Sequence, residues 1–165
     1  MLNLVLKPHR THLKAQTTEP QKLFVMLRCI PERQVAQTRP PLALALVIDT
    51  SGSMRDEVDN TIKLERAIQA AHKLVDDPHL RPEDKIAIIQ FDDESRILLP
   101  ISPLQRGKAH QVIDTLRQYS GGTQMGKGMR NALNQLGKEP PEVAKRLILL
   151  TDGMTFDEED CRALA

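Results

Sequence analysis

One apolar segment, Leu42–Ile48, constrains the fold of this chain more than any other feature of its sequence. Its seven residues, LALALVI, are apolar at every position, whereas a strand with one face in water alternates apolar and polar residues. A strand without a polar face is typical of the middle of a parallel sheet that helices cover on both sides. Asp49, Ser51 and Ser53 follow directly, so the sequence predicts a buried strand with polar side chains at its carboxyl end.

From Leu42 onward, apolar strands alternate with amphipathic helices. Apolar residues recur at three- and four-residue spacing between Leu64 and Val75, and again between Met125 and Leu136, which predicts two helices with core-facing stripes. KIAIIQF (85–91) and RLILL (146–150) are strands predicted to be buried on both faces. RILLP follows the tight DDES turn, and such a turn makes it antiparallel to the strand before it. The alternation predicts a doubly wound, mostly parallel, Rossmann-like α/β sheet.

Two further helices complete this pattern. QRGKAHQVIDTLRQY (105–119) has the apolar spacing of a helix and ends at the breaker SGGT. Thr155 and Glu158 match a capping box, which predicts that a last helix opens at the threonine.

The first 41 residues have a different pattern. Leucines alternate with other residues in MLNLVLK, and KLFVMLRCI (22–30) is a second apolar strand, with a polar, turn-rich segment between the two. This pattern predicts a small antiparallel pair of strands. Arg39-Pro40-Pro41 cannot continue regular structure and is typical of a linker. We therefore divide the chain into an N-terminal β-rich extension with its linker, residues 1–41, and a main domain, residues 42–165.

Composition argues against several classes of protein. The chain has 165 residues and a formal net charge of +1, without the basic surplus of a dedicated nucleic-acid-binding protein. No segment approaches the ~20 apolar residues of a membrane span, and the apolar start is too short for a signal peptide. Cys29 and Cys161 lie far apart in sequence, which indicates reduced thiols rather than a disulfide framework. Together these features predict a cytoplasmic protein.

Polar residues follow two strands whose carboxyl ends we expect at the same edge of the sheet. Asp49 follows the first main strand and Asp152 follows the last. If these strands are neighbours, about 4.8 Å apart, two carboxylates converge, and a divalent cation relieves their repulsion. Ser51, Ser53 and Thr123 offer hydroxyls as neutral oxygen ligands. The five side chains are therefore candidate ligands of Mg²⁺, or of Mn²⁺ or Ca²⁺.

Three short motifs resemble those of a known family. DTSGS, beginning at Asp49, Gly122-Thr123 before a helix, and LTDG (150–153) at a later strand end resemble the metal-ion-dependent adhesion site of von Willebrand factor type A domains, in their bacterial form. The resemblance covers about residues 42–165. Members usually continue with two more strand–helix units, so the domain looks truncated after its fourth main strand. The apolar edge that this leaves is one that another chain can pair with.

The resemblance implies a role for each candidate residue. Ser51 and Ser53 bind the metal directly, and Thr123 does so directly or through water. Asp49 and Asp152 hold metal-bound waters or approach the ion closely. Because few direct ligands are anionic, the ion can accept an Asp or Glu side chain from a partner protein. The resemblance thus implies a metal-dependent protein–protein interaction module and no enzyme.

Other interpretations of the same residues are less consistent. An EF-hand also begins D-x-S-x-S, but Met54 stands at its glycine position and Asn60 at its glutamate position. In the enzymatic alternative, a Mg²⁺-dependent haloacid-dehalogenase-like phosphotransferase, Asp49 is the nucleophile and Lys145 the phosphate clamp. That alternative lacks its second carboxylate, because Ser51 is a poor proton donor or acceptor at neutral pH.

In the phosphotransferase alternative, the metal ligands would be Asp152 with Asp157. In a third interpretation, the serine and threonine hydroxyls only cap turns and helices. His9 and His12 have metal-like spacing but no acidic or thiol companions, so we expect them at a solvated surface. The run of residues 92–94, DDE, predicts a solvated hairpin turn.

Overall fold

The computed structural model describes residues 2–8, 24–31 and 39–165, and the chain divides into two units between Arg39 and Pro40. The first unit contains strands β1 (Leu2–Pro8) and β2 (Val25–Pro31), which pair antiparallel along their full length. The predicted pair of N-terminal strands is therefore confirmed. The connection between them, with His9 and His12, and most of the linker lie outside the described residues.

The second unit alternates strands and helices. Its elements in chain order are β3 (Leu42–Asp49), a 3-10 turn (Gly52–Arg55), β4 (Glu57–Val58), β5 (Thr61–Ile62), α1 (Lys63–Val75), β6 (Lys85–Phe91), β7 (Ser95–Pro103), α2 (Arg106–Asp114), a second 3-10 turn (Thr115–Gln118), α3 (Met125–Leu136), β8 (Ala144–Leu150) and α4 (Glu158–Leu164). β4 and β5 form a two-residue hairpin in which Asp59 and Asn60 adopt positive φ, as a type I′ turn requires.

The main sheet has the strand order β7-β6-β3-β8. β3 pairs parallel with both β6 and β8, whereas β7 returns antiparallel against β6. This arrangement confirms the mostly parallel sheet and the neighbouring strands that precede Asp49 and Asp152. After β3 the chain runs to β6 on one side, and it later returns to β8 on the other side, so the strand order reverses at β3. Open α/β sheets bind ligands at the carboxyl ends of the strands at such a point.

Helices cover both faces of this sheet, because β3 directs alternate residues to opposite sides. Leu44, Leu46 and Ile48 pack in one apolar cluster with residues of α1 and α2. Ala43, Ala45 and Val47 pack in a second cluster with residues of α3. All six side chains are 3 % exposed or less. The doubly wound fold predicted from the apolar run is therefore confirmed.

The structure corrects three local predictions. β8 is half-buried rather than buried on both faces, because among the described residues it pairs only with β3 and forms an edge of the sheet. The last helix begins at Glu158, and Asp157 rather than Thr155 precedes its first residue. Asp92 is 5 % exposed, so the acidic turn is not fully solvated. Within the described ranges, no helix is both long enough and apolar enough to cross a bilayer.

Candidate metal site

The buried carboxylate of Asp49 shapes the turn that carries the two serines. Its Oδ1 accepts a hydrogen bond of 2.8 Å from the backbone N–H of Ser51, and its Oδ2 accepts one of 2.7 Å from the hydroxyl of Thr151. Asp49 is fully buried, while Met54 anchors the following 3-10 turn in the core. The serine turn is therefore tied at one end to β3, at the other to the core, and laterally to the loop after β8.

The hydroxyls of Ser51 and Ser53 lie 3.2 Å apart. Adjacent oxygen ligands of an octahedral Mg²⁺, each about 2.0–2.1 Å from the ion, are about 2.9 Å from one another. The pair thus has nearly the spacing of two neighbouring ligands. Ser51 is only 1 % exposed, so its hydroxyl is held by the fold rather than by solvent.

Thr123 is brought to the same edge by a loop that bonds to the serine turn. The backbone N–H of Gly52 donates to the carbonyl oxygen of Gly121 at 2.8 Å. A Cβ at Gly122 would overlap the carboxylate of the exposed Asp93, so that side chain would have to turn away. Thr123 itself is 7 % exposed. Gly52 and Gly121 thereby join the second hydroxyl-bearing segment to the first.

Asp152 completes the group from the end of β8. Its Oδ2 accepts a hydrogen bond of 3.0 Å from the Lys63 ammonium at the start of α1. Burial raises the pKa of Asp152, but hydrogen bonds from Lys63 and Ser53, with the charge of Lys63, outweigh it and leave the pKa below its usual value. The group is therefore an anion. Its Oδ1 is buried and finds no hydrogen-bond partner within the part of the chain that the structure describes.

The donor set fits a hard divalent cation. Among the described residues, no cluster of three or more His, Cys, Asp or Glu side chains has the arrangement of a metal site. A cation at this edge would have hydroxyls and two carboxylates as its ligands, a set of hard oxygen ligands suited to Mg²⁺ rather than to Zn²⁺. The buried Oδ1 of Asp152 supplies an unsatisfied acceptor oxygen that such a cation would bind.

A buried polar network supports these loops. Gln90, which follows four apolar residues in β6, donates to the Thr50 hydroxyl at 2.7 Å and to the Asp92 carboxylate at 2.8 Å. Asp92 in turn accepts the backbone N–H of Gln124 at its carbonyl, at 2.9 Å. Sequence reasoning assigned no role to Gln90, although a polar residue within an apolar strand is a detectable signal. No feature of the sequence predicts that Lys63 lies beside Asp152.

The loop after β8 holds the threonine segment and α3. Phe156 N–H donates to the Thr123 carbonyl at 3.0 Å, and Thr155 Oγ donates to the same oxygen at 3.2 Å. Asp157 Oδ2 accepts the backbone N–H of Gly126 at 2.9 Å, in the first turn of α3. Asp157 is therefore engaged at a helix terminus, where carboxylates are favourable.

The geometry contradicts the residue set of the phosphotransferase alternative. Lys145 lies at the start of β8, opposite Ala43 of β3, so at ~3.3 Å per residue it is roughly 20 Å from Asp49. Its ammonium donates to the Glu139 carbonyl at 2.6 Å. A phosphate clamp at Asp49 cannot come from Lys145, and Asp157 is occupied at α3.

Comparison with known proteins agrees with the fold of the second unit. The family model described as von Willebrand factor type A domain matches residues 44–154. The chain is 31 % identical over 127 residues to sll0103 of Synechocystis sp., which covers 76 % of this chain and 28 % of that protein. It is 33 % identical over 135 residues to YfbK of Escherichia coli K12, covering 81 % and 22 %. The chain thus spans about a quarter of the length of these curated relatives.

A solved structure shows the same fold. The vWF domain of the type V pili tip protein Mfa5 from Porphyromonas gingivalis superimposes with a TM-score of 0.61 at 25 % identity, covering 72 % of this chain and 40 % of that one. The matched residues of the family model include every candidate ligand, from Asp49 to Asp152. On its sequence and its fold together, this chain belongs to the von Willebrand factor type A domain family.

Proposed function

We propose that this domain is a metal-dependent protein–protein interaction module whose site holds one divalent cation, most simply Mg²⁺. Ser51, Ser53 and Thr123 would hold the ion through their hydroxyls, and Asp49 and Asp152 would hold its waters or approach it closely. The bound ion would supply an electrophilic position that accepts an Asp or Glu carboxylate of a partner protein. Domains of this family are generally interaction modules, and the metal dependence is the part that we propose.

One observation carries the proposal: the buried, unpartnered Oδ1 of Asp152 lies at the edge where the serine hydroxyls converge. A buried carboxylate oxygen without a donor is costly, because its hydration is lost and nothing replaces it. Lys63 donates to the other oxygen, Oδ2. A cation between Asp152 and the serine turn would bind Oδ1 and would also be bound by the hydroxyls of Ser51 and Ser53.

The site offers little to a catalytic alternative. Asp49 is fully buried, and each of its carboxylate oxygens accepts one hydrogen bond, from Ser51 N–H and from the Thr151 hydroxyl. A nucleophile must reach its substrate, and this carboxylate is not presented to one. We therefore propose binding, with no chemical step, as the function of this edge.

Thermal unfolding in the presence of metal tests the ion. If Mg²⁺ binds only the folded state, stability rises about 1.4 kcal/mol per decade of concentration above the dissociation constant, which is roughly 3–6 °C in melting temperature for a chain of this size. The double variant Ser51→Ala/Ser53→Ala should lose this response. Ser102→Ala, at the opposite end of the sheet on β7, is the matched control and should keep it.

A chelator tests the bridge to a partner. Protein captured from a lysate of the source cell by the wild type in Mg²⁺ should be released by excess EDTA and should not be captured by the double serine variant. A melting temperature indifferent to Mg²⁺, Mn²⁺ and Ca²⁺, or capture that survives both EDTA and the variant, would refute the proposal.

A further inference from the structure

Two large apolar side chains stand in solvent beside the candidate metal site. Met154 is 72 % exposed and Phe156 is 85 % exposed, both in the loop that follows Asp152. The chain has only three phenylalanines and one tyrosine, so one of its few aromatic rings lies outside any core. Aromatic and Met side chains are enriched in protein interfaces.

The exposure of these side chains is imposed by a well-held backbone. Thr155, between them, points inward and donates its hydroxyl to the Thr123 carbonyl, while it accepts the Met125 N–H at 3.2 Å. Phe156 N–H is bonded to Thr123 as well. Because Thr155 and the backbone of Phe156 are hydrogen-bonded at the site, the side chains of Met154 and Phe156 are held at the surface by a fixed backbone.

A cavity of about 230 Å³ opens beside this pair. Its lining consists of Thr123, Gly153, Met154, Thr155, Phe156 and Glu158. Thr123 is a candidate metal ligand, so the cavity adjoins the position of the ion. The volume is of the order of one or two side chains, and the lining includes two large apolar side chains and one carboxylate.

The surrounding surface is acidic. Residues 152–165 contain five Asp or Glu residues and one arginine. Glu158, Glu159 and Asp160 are exposed on α4. Arg162 pairs with Glu158 at 3.2 Å and Arg130 with Asp160 at 3.4 Å, which leaves a negative balance on this segment. A second copy that docked through this same face would bring the same negative charge, so charge complementarity favours a basic occupant.

We propose that the cavity is a specificity pocket for the partner: it receives an apolar side chain next to the carboxylate that the ion binds, while a neighbouring Lys or Arg meets Glu158. This rests on the proposed metal-dependent binding and specifies its partner. The partner segment is therefore an exposed, extended stretch with an Asp or Glu, an apolar residue within about two positions, and a nearby basic residue. Side chains two positions apart in an extended segment lie about 7 Å from each other on one face.

The test uses a phage-displayed library of random dodecapeptides, selected on the complete chain in Mg²⁺ and eluted with EDTA. Synthetic copies of the enriched peptides are then titrated against the wild type and its variants by fluorescence anisotropy. The peptides should share the acidic, apolar and basic residues described above. Met154→Ser/Phe156→Ser should weaken binding about tenfold or more, as expected for loss of one apolar contact, with the Mg²⁺ effect on melting temperature unchanged.

Matched controls separate the pocket from the rest of the surface. Leu133→Ser removes an apolar side chain that is 39 % exposed near the far end of α3, and it should change affinity less than twofold. Glu158→Lys should abolish the preference for basic residues, whereas Glu142→Lys, in the exposed loop before β8, should leave it intact.

The outcomes distinguish failure of the pocket from failure of the proposed metal-dependent binding. EDTA-sensitive peptides that bind Met154→Ser/Phe156→Ser as tightly as the wild type would overturn the pocket and leave metal-dependent binding standing. A selection that yields no EDTA-sensitive peptide would overturn both. A wild type that self-associates, and becomes monomeric in Met154→Ser/Phe156→Ser, would show that the pocket receives a second copy and would also overturn the inference.

Discussion

The spacing between α3 and the sheet depends on a glycine whose replacement has a calculable effect. Gly128 faces the sheet, and a Cβ placed there would lie 2.9 Å from Cδ1 of Phe91 and 3.0 Å from Cγ1 of Val47. Both neighbours are fully buried. Carbon atoms in contact normally lie ~3.5–4.0 Å apart, so Gly128→Ala must push α3 outward or distort two core side chains.

Two opposing free-energy terms decide whether Gly128→Ala raises or lowers the free energy of unfolding. Alanine is favoured over glycine in a helix by about 0.8–1.0 kcal/mol, whereas overpacking a close-packed core costs about 1–3 kcal/mol. Because two contacts from two strands fall at or below 3.0 Å, the steric term belongs at the upper end. We expect Gly128→Ala to lower the free energy of unfolding by about 1–2 kcal/mol.

Gly107→Ala is the matched control. Gly107 lies in the first turn of α2, and a Cβ there would meet no atom within 4 Å, so only the propensity term acts and stability should rise by about 0.5 kcal/mol. Urea denaturation measures the stability of both variants. If their m-values are equal, the two midpoints should differ by about 0.5–1 M. If Gly128→Ala were as stabilising as Gly107→Ala, the close contact of α3 with Phe91 and Val47 would not exist.

Two other predictions follow from individual hydrogen bonds. Thr151→Val removes the hydroxyl that donates to the buried Asp49 Oδ2 and should cost about 1.5–3 kcal/mol in urea denaturation without metal; an unchanged midpoint would mean that Thr151 does not hold Asp49. Arg117 bonds Glu65 at 2.7 and 2.8 Å and lowers the pKa of Glu65 below its usual 4.5. That pairing therefore adds stability above pH 4.5 that is lost as the pH falls, so the difference between wild type and Glu65→Gln should shrink toward zero in acid; a difference constant from neutral pH to pH 3 would contradict it.

The candidate ligands could be predicted because their pattern is local. Asp49, Ser51 and Ser53 follow one buried strand at alternate positions, and Asp152 follows another, so strand ends alone place them at one edge of a parallel sheet. The structure has β3 and β8 as neighbours, as that argument requires. Thr123 was predicted from a motif, and only the bond from Gly52 to Gly121 shows how its loop reaches the serine turn.

Other features depended on side chains far apart in sequence. Lys63 meets Asp152 across 89 positions, and no periodicity connects them. The predicted capping box is wrong because the Thr155 Oγ accepts the Met125 N–H across the loop instead of an N–H of its own helix. Asp92 was expected in solvent, but Gln90 and Arg96 draw it into a buried network.

The sequence by itself determined the doubly wound sheet, because an apolar run such as Leu42–Ile48 is stable only with helices on both faces. It also determined which oxygens stand at the carboxyl edge. Only the tertiary structure decided the charge balance of the site, the unsatisfied oxygen of Asp152, and the apolar pocket formed by Met154 and Phe156. These properties arise from distances between separate loops, and such distances are set by packing rather than by local pattern.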